Sequence, residues 1–337
     1  MEIPFIVHFI IGLSLRLILL NFLPTYLLPS RVELNTSPFA LLDQPNETLL
    51  TEVFSYIPQE YLSYVVIILS VLPSLPLVTI SKTSACVLLY NPFGILASLS
   101  ISSYSLITLL ESLILLIPKH KHLFSPFLPI TIFLYPATLP LLLPLLPSLS
   151  PTVLLTCPIF YYFRFCKELF VSDLTPNLGL YWNLFTNMFP EYNLMYTVIL
   201  PLIPLIISFF IFTRMITHQF YYFFCVMLLI AVCNPYLSVQ DLLLPMALYN
   251  IPWSHLCVYF WKAKVLTFIV PILIIMFSMF NDALKYSFFN SNMAYSMNLA
   301  LGFSLFSFSE EIINGCLHND FLVKHKVLED RHIDKIF

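Results

Sequence analysis

The chain has 337 residues, of which 59% are hydrophobic, 16% aromatic and only 10% charged, and its mean hydropathy is +0.88. This balance is typical of a protein that lies largely within a lipid bilayer, because a soluble fold of this length cannot bury so much apolar surface in one core. The formal net charge of −3 excludes the basic surface that nucleic-acid binding requires, so we expect no nucleic-acid partner.

Long apolar runs recur along the whole chain and predict its fold class. At about 20 residues per crossing, with the longest runs holding two crossings or a re-entrant piece, we expect roughly 8 to 11 transmembrane helices. The runs lack the alternation of a membrane barrel, so the prediction is an all-α, polytopic transmembrane helical bundle. The expected divisions are a first transmembrane helix (1–28), a lumenal loop (29–60), a multi-helix transmembrane domain (61–317) and a polar C-terminal tail (318–337).

The first apolar run begins at Phe5 and is predicted to be a retained helix, because it exceeds the apolar part of a signal peptide and no A-x-A-like site follows it. It contains Arg16, for which we expect a structural role, through snorkelling or an interhelical hydrogen bond. The loop that follows carries two acceptor sequences for N-glycosylation, at Asn35 and Asn46. Their occurrence in one hydrophilic loop favours a lumenal position for it.

Prolines, glycines and cysteines limit the chemistry of the chain. Many of the 26 prolines lie within apolar runs, where each removes a backbone N–H and bends the helix, so we expect kinked and broken helices around an internal space. The five glycines are too dispersed for a phosphate-binding loop, and the seven cysteines show no CxxC spacing. The sequence therefore predicts neither a cofactor nor a metal site.

No set of residues makes a convincing catalytic site. The nearest pairs of nucleophile and base, His255 with Cys257 and Cys316 with His318, lack a supporting acid and an oxyanion loop. A multi-spanning glycosyltransferase would need a lumenal carboxylate as base near the first helix. Carboxylates are present there but form no Asp-x-Asp or Glu-x-Asp pair: Glu33, Asp43, Glu47 and Glu52. We therefore predict no catalytic residue.

The most polar segment between apolar runs is Ser172–Phe189, with the sequence SDLTPNLGLYWNLFTNMF. Its polar side chains would be costly against lipid, so we expect it to line an enclosed cavity or to lie at the membrane interface. Amide groups elsewhere can bind ethanolamine, inositol or sugar groups, or can bond to backbone groups freed at helix ends and kinks. These further polar groups are Tyr90-Asn91-Pro92, Asn234 to Asp241, Trp253-Ser254-His255, and Asn290-Ser291-Asn292 followed by Tyr295.

The segment Ser172–Phe189 resembles the central signature of the phosphatidylinositol-glycan class U (PIG-U) family, a subunit of the glycosylphosphatidylinositol (GPI) transamidase. Further segments resemble landmarks of that family in the same order: Arg31-Val32-Glu33, Tyr90–Phe93, Ser238–Asp241, Trp253–Leu256 and Asn290–Asn292. The chain departs from the family pattern by being shorter, mainly between Ser55 and Leu88, and by reading Tyr236-Leu237-Ser238 in place of a Tyr-Pro-Thr-type segment.

The resemblance implies a multi-pass protein of the endoplasmic reticulum membrane and a non-catalytic subunit of the transamidase. The implied partners are the GPI lipid, membrane lipids and the other subunits, including a cysteine protease. The implied architecture is similar to that of multi-spanning lipid-linked-sugar glycosyltransferases, and a mannosyltransferase is the alternative function. The residues that we expect to contact the GPI lipid are Asp173, Asn177, Trp182, Phe189, Asp241, His255, Asn290, Ser291, Asn292 and Tyr295.

Overall fold

In the computed structural model, the described residues are 4–22, 56–99, 105–167, 179–187, 189–216, 218–234, 237, 239–249 and 291–324. Within these ranges the chain is helical and contains no β-strand, so the all-α prediction is confirmed for this part. The two predicted glycosylation sites, Asn35 and Asn46, lie outside the described residues.

The N-terminal half is a set of helices that prolines and capping residues divide. They are α1 (Phe5–Phe22), α2 (Gln59–Val71), α3 (Ser74–Val78), α4 (Lys82–Tyr90), α5 (Pro92–Leu99) and α6 (Ser105–Ile114). Pro73 separates α2 from α3, because a proline ring cannot continue the hydrogen-bond ladder of a helix. Ser81 caps α4, and its hydroxyl accepts a hydrogen bond from the N–H of Ser84 at 3.4 Å. α1 packs against α2, α4 and α5.

The middle of the chain consists of α7 (Lys121–Phe124), α8 (Phe127–Leu134), a 3-10 helix (Pro136–Ser148) and α9 (Pro151–Lys167). A 3-10 helix of 13 residues is long for its type. Prolines recur in it every three or four residues, and each removes an N–H that an α-helix would use. One proline, Pro158, lies inside α9.

The C-terminal half surrounds one buried helix. Its helices are α10 (Tyr181–Asn187), α11 (Pro190–Arg214), α12 (Gln219–Cys233), α13 (Val239–Leu248) and α14 (Ser291–Lys324). All residues of α12 from Phe220 to Cys233 are buried, as expected for a helix that is apolar on every face. The 3-10 helix, α11, α13 and α14 pack around it.

Two helical stretches within the described residues are long and apolar enough to cross a membrane. They are Phe5–Phe22 and Tyr61–Val78, with mean hydropathies of 2.1 and 2.0, and the second comprises most of α2 together with α3. Shorter apolar helices also occur: Ser105–Ile114, Pro136–Leu146, Leu202–Arg214 and Gln219–Cys233. The expected number of crossings therefore stays a prediction, as do the divisions drawn from the sequence.

Candidate functional site

The second half of the polar signature, which begins near Gly179, is held against α14 by a buried hydrogen bond. Asn298, in the second turn of α14, is 1% exposed, and its Nδ2 donates to the backbone carbonyl oxygen of Gly179 at 2.9 Å. A buried backbone carbonyl needs such a donor because it has lost its hydrogen bonds to water. Asn298 therefore fixes the position at which the segment Gly179–Asn187 begins.

The next two residues of the signature pack into the core. A Cβ atom added to Gly302 would lie 3.3 Å from a side-chain methyl of Leu180 and 3.6 Å from one of Val232, so the absence of a side chain lets Leu180 approach α14 closely. The hydroxyl of Tyr181 forms a hydrogen bond with the thiol of Cys233 at the end of α12. The start of α10 is thus attached to both α14 and α12.

A groove opens beside this attachment, between α10, α11 and the first turns of α14. Its volume is about 410 Å³. We call it the aromatic groove, and its lining residues are Leu184, Asn187, Phe189, Tyr192, Met195, Tyr196 and Tyr295. Phe189 is 70% exposed and Tyr192 is 53% exposed, so the rings stand at an open surface.

The start of α11 explains how three of these side chains come to face the groove. Pro190 occupies the first turn of α11, where a backbone N–H would have no acceptor within the helix, so the lack of an N–H in proline costs nothing there. Tyr192, Met195 and Tyr196 follow at spacings of three and four residues, which places them on one face of the helix. The groove wall is therefore a regular helical face, and the signature supplies the opposite wall.

Among the described residues, those that line the aromatic groove carry no formal charge. The nearest charged residue in sequence is Glu191, in the first turn of α11, where a carboxylate is favourable to the helix dipole. Tyrosine rings offer an apolar face and a hydroxyl that can donate and accept, and the amide of Asn187 can do both. Such a surface suits a neutral, hydroxyl-bearing ligand with apolar faces, rather than a group held by ion pairs.

Two residues predicted from the sequence, Phe189 and Tyr295, meet in this groove. Ser291 and Asn292 lie in the first turn of α14, and Tyr295 begins the second turn. Trp182 lies in α10. Four predicted contacts lie outside the described residues: Asp173, Asn177, His255 and Asn290.

Asp241 is described but does not line the groove. It is 7% exposed and belongs to a buried hydrogen-bonded cluster with Tyr135 and Asn234. The Tyr135 hydroxyl donates to Oδ1 of Asp241 at 3.3 Å, while Nδ2 of Asn234 donates to that hydroxyl oxygen at 2.7 Å and lies 3.4 Å from Oδ2 of Asp241. These bonds join the start of the 3-10 helix, the end of α12 and the first turn of α13.

Another predicted polar landmark has a structural role at a helix boundary. The side-chain oxygen of Asn91 accepts a hydrogen bond from the N–H of Phe93 at 3.0 Å. This bond satisfies a backbone donor at the start of α5, where the helix itself supplies no acceptor. Of the two interpretations that the sequence left open for its amides, Asn91 and Asn234 fit the structural one.

Neither a nucleophilic pair nor a metal site emerges from the described residues. Cys316 is buried in the core, and His318 stacks against Phe321 with ring centroids 6.4 Å apart. Residues two apart on an α-helix do not face each other, so this pair lacks the geometry of a nucleophile and its base. In the same ranges, no group of three or more His, Cys, Asp or Glu side chains could hold a metal ion.

Sequence reasoning missed most of the groove's lining. Tyr192, Met195 and Tyr196 carry a signal that was available, namely an aromatic and methionine stripe at helical spacing directly after the signature. Leu184 and Asn187 lie within the signature itself, but the sequence does not show which residues of α10 face the groove.

Residues 159–301 match the family described as GPI transamidase subunit PIG-U. The resemblance to the PIG-U family is confirmed. The human GPI-anchor transamidase component PIGU is 26% identical over 162 residues, and the mouse protein of the same description is 25% identical over 162 residues. Each match covers 46% of this chain and 36% of the relative, so the matched part spans about a third of the length of the curated relatives.

The matched region contains the whole aromatic groove. Its lining residues run from Leu184 to Tyr196 and include Tyr295, all between residues 159 and 301. Asn298 also lies in this region, whereas Gly302 is the first residue beyond it. The described residues that line the groove, and most of those that attach it, therefore lie in the part of the chain that matches the family.

Proposed function

We propose that this chain is a non-catalytic, multi-pass membrane subunit of a GPI transamidase in the endoplasmic reticulum, and that its aromatic groove contacts the GPI lipid. The observation that carries this proposal is the meeting of the signature's last residues with the first turns of α14 in one open groove. Both segments lie within the region that matches PIG-U.

The chemistry of the lining favours the sugar part of the lipid over its phosphates. A GPI lipid offers acyl chains, phosphates and a glycan whose rings have C–H faces and hydroxyl edges. Three tyrosines and Asn187 can pack against such faces and exchange hydrogen bonds with such hydroxyls. Phosphate binding uses Arg, Lys or a row of backbone N–H groups, and none of the lining residues that the structure describes is basic.

We place the catalytic nucleophile on another subunit, a cysteine protease. Joining a protein to an amine through an acyl intermediate requires an activated nucleophile within hydrogen-bond reach of a base. In the described ranges, the cysteines of α12 and α14, namely Cys225, Cys233 and Cys316, are buried, which suits small core residues rather than reactive thiols. The role left for this chain is to present the lipid and to hold the complex together.

The experiment that tests assembly is a mild-detergent pull-down of the tagged full chain from its own membranes, followed by mass spectrometry. Recovery of a cysteine protease with further membrane subunits is the expected result. A chain that is recovered without a protease, but with sugar-transfer activity from a lipid-linked donor, would overturn the proposal in favour of a mannosyltransferase.

The experiment that tests the groove is the replacement Tyr192→Ala, with Tyr64→Ala as its control. Both tyrosines stand at the surface, 53% and 45% exposed, but only Tyr192 lines the groove. We expect Tyr192→Ala to lower the amount of GPI-anchored protein at the cell surface severalfold, at an unchanged yield of assembled complex. Equal surface levels for the two variants would count against the groove.

A further inference from the structure

Arg16 is a cation buried deep in the N-terminal half of the fold. It is 1% exposed, and its Nη1 donates to the carbonyl oxygens of Gly12 at 3.0 Å and of Leu89 at 2.9 Å. Leu89 lies in the last turn of α4, where carbonyl groups have no partner within the helix and carry the negative end of the helix dipole. Arg16 therefore bonds α1 to the C-terminal end of α4.

These two bonds do not satisfy the whole guanidinium group, which has five N–H donors. The Nε–H of Arg16 is buried and has no hydrogen-bond partner within the described residues. A buried donor without an acceptor destabilises the fold, and native proteins commonly satisfy such a group with an ordered water molecule.

A small polar cavity lies beside the guanidinium group. Its volume is about 10 Å³, which is about the space that one water molecule requires. Besides Arg16, its polar lining consists of residues with hydroxyl or amide groups: Ser70, Ser98, Ser105, Thr108 and Gln240. A phosphate group or a lipid headgroup is too large for this space.

Two of the three serines that line the cavity have already donated their hydroxyl hydrogens to backbone carbonyls. Ser70 donates its own hydrogen to the carbonyl of Ile67 at 2.7 Å, and Ser98 donates to the carbonyl of Ile95 at 2.6 Å. Once a hydroxyl has donated its single hydrogen, its oxygen still has lone pairs that accept. The cavity thus offers an N–H donor on one side and oxygen acceptors on the other, which is the pattern that a water molecule requires.

We propose that this cavity is a binding site for a single water molecule, which accepts a hydrogen bond from Nε–H of Arg16 and donates to the hydroxyl oxygens of Ser70 and Ser98. Through this water, α1 is joined to α2 and α5, in addition to its direct bond to α4. The proposal concerns the attachment of α1 and is independent of the aromatic groove.

A density map of the full chain in its complex, at a resolution that shows waters, tests the proposal directly. We expect one spherical peak within about 3.2 Å of Nε of Arg16 and of at least one lining hydroxyl oxygen. An empty cavity, or elongated density that continues into a lipid, would overturn the proposal.

A pair of matched variants gives a second test. Ser98 and Ser74 are both buried, and each donates to the carbonyl three residues before it, at 2.6 and 2.7 Å. Only Ser98 lines the cavity, so Ser98→Ala loses the hydrogen bond to the water and Ser74→Ala does not. We expect Ser98→Ala to lower the Tm of the purified chain by about 1–2 °C more than Ser74→Ala. Equal shifts would overturn the proposal.

Discussion

Replacement of Asn298 tests how the signature is attached to α14, without changing a side chain that lines the groove. In Asn298→Leu the side chain keeps nearly its size, but the donor to the carbonyl of Gly179 is lost. Asn298 does not line the groove, so the variant leaves the identity of every lining side chain unchanged. We expect the segment Gly179–Asn187 to detach from α14 more often.

The expected magnitude follows from the burial of this bond. Loss of the donor removes a buried hydrogen bond, which costs about 0.5–1.5 kcal/mol. Detachment of the segment is local, so this free energy is subtracted from the local opening free energy rather than from that of global unfolding. At 1.4 kcal/mol per factor of ten, the opening equilibrium rises about 2- to 12-fold.

Hydrogen exchange of the purified chain, followed by mass spectrometry of peptides from residues 179–196, measures this opening. The matched control is Ser304→Ala, which removes a hydroxyl that donates to the carbonyl of Ala300 at 2.8 Å on the exposed side of the same helix. Surface changes of this kind alter stability by about 0.5 kcal/mol or less. If exchange in Asn298→Leu equals that of the control, the reasoning from the buried bond is refuted.

Three further predictions concern positions around the groove and the core. Gly302→Val should lower the Tm more than Gly302→Ala does. In Gly302→Ala, a gain of up to about 1 kcal/mol in helix propensity offsets the close 3.3 Å contact with Leu180, whereas the larger Val side chain overpacks the site at a cost of about 1–3 kcal/mol. Equal Tm values for the two variants would contradict this. Tyr135→Phe should cost about 0.5–1.5 kcal/mol, measured as a lower Tm, since it removes a buried hydrogen bond to Asp241. An unchanged Tm would show that this hydroxyl does not stabilise the fold. Asn292→Lys should impair GPI attachment without dissociating the complex, because it puts a cation in the first turn of α14 next to Tyr295; normal surface levels of GPI-anchored proteins would exclude the site.

The sequence predicted the helical class because that class depends on local patterns. Continuous apolar runs specify helices irrespective of their neighbours. The signature is conspicuous because its polar residues interrupt such runs, and two residues chosen from the sequence, Phe189 and Tyr295, line the same groove. The structural role expected for Arg16 is confirmed by its hydrogen bond to the carbonyl of Leu89 on another helix.

The order of packing could not be predicted, because it depends on contacts between elements distant in sequence. α12 resembles the other apolar runs in composition, yet its residues from Phe220 to Cys233 are buried on all sides. A helix that is apolar all round can face either lipid or protein, and only the arrangement of its neighbours decides between them. Likewise, the helix face that presents Tyr192 and Tyr196 becomes a groove wall only because residues of α10 and α14 line the same groove.

Asparagines that look equivalent in the sequence have different roles because of their surroundings. Asn91 and Asn234 bond to groups of the chain itself, at the start of α5 and in the cluster around Asp241. Asn298 likewise bonds the carbonyl of Gly179, whereas Asn187, which also interacts within the chain, is exposed and lines an open groove where a ligand can reach it. An amide buried among fixed partners stabilises the fold, and an amide at an open aromatic surface can recognise a ligand. The lipid-binding role that the resemblance implies is therefore best tested at Asn187 and the tyrosines around it, rather than at Asp241.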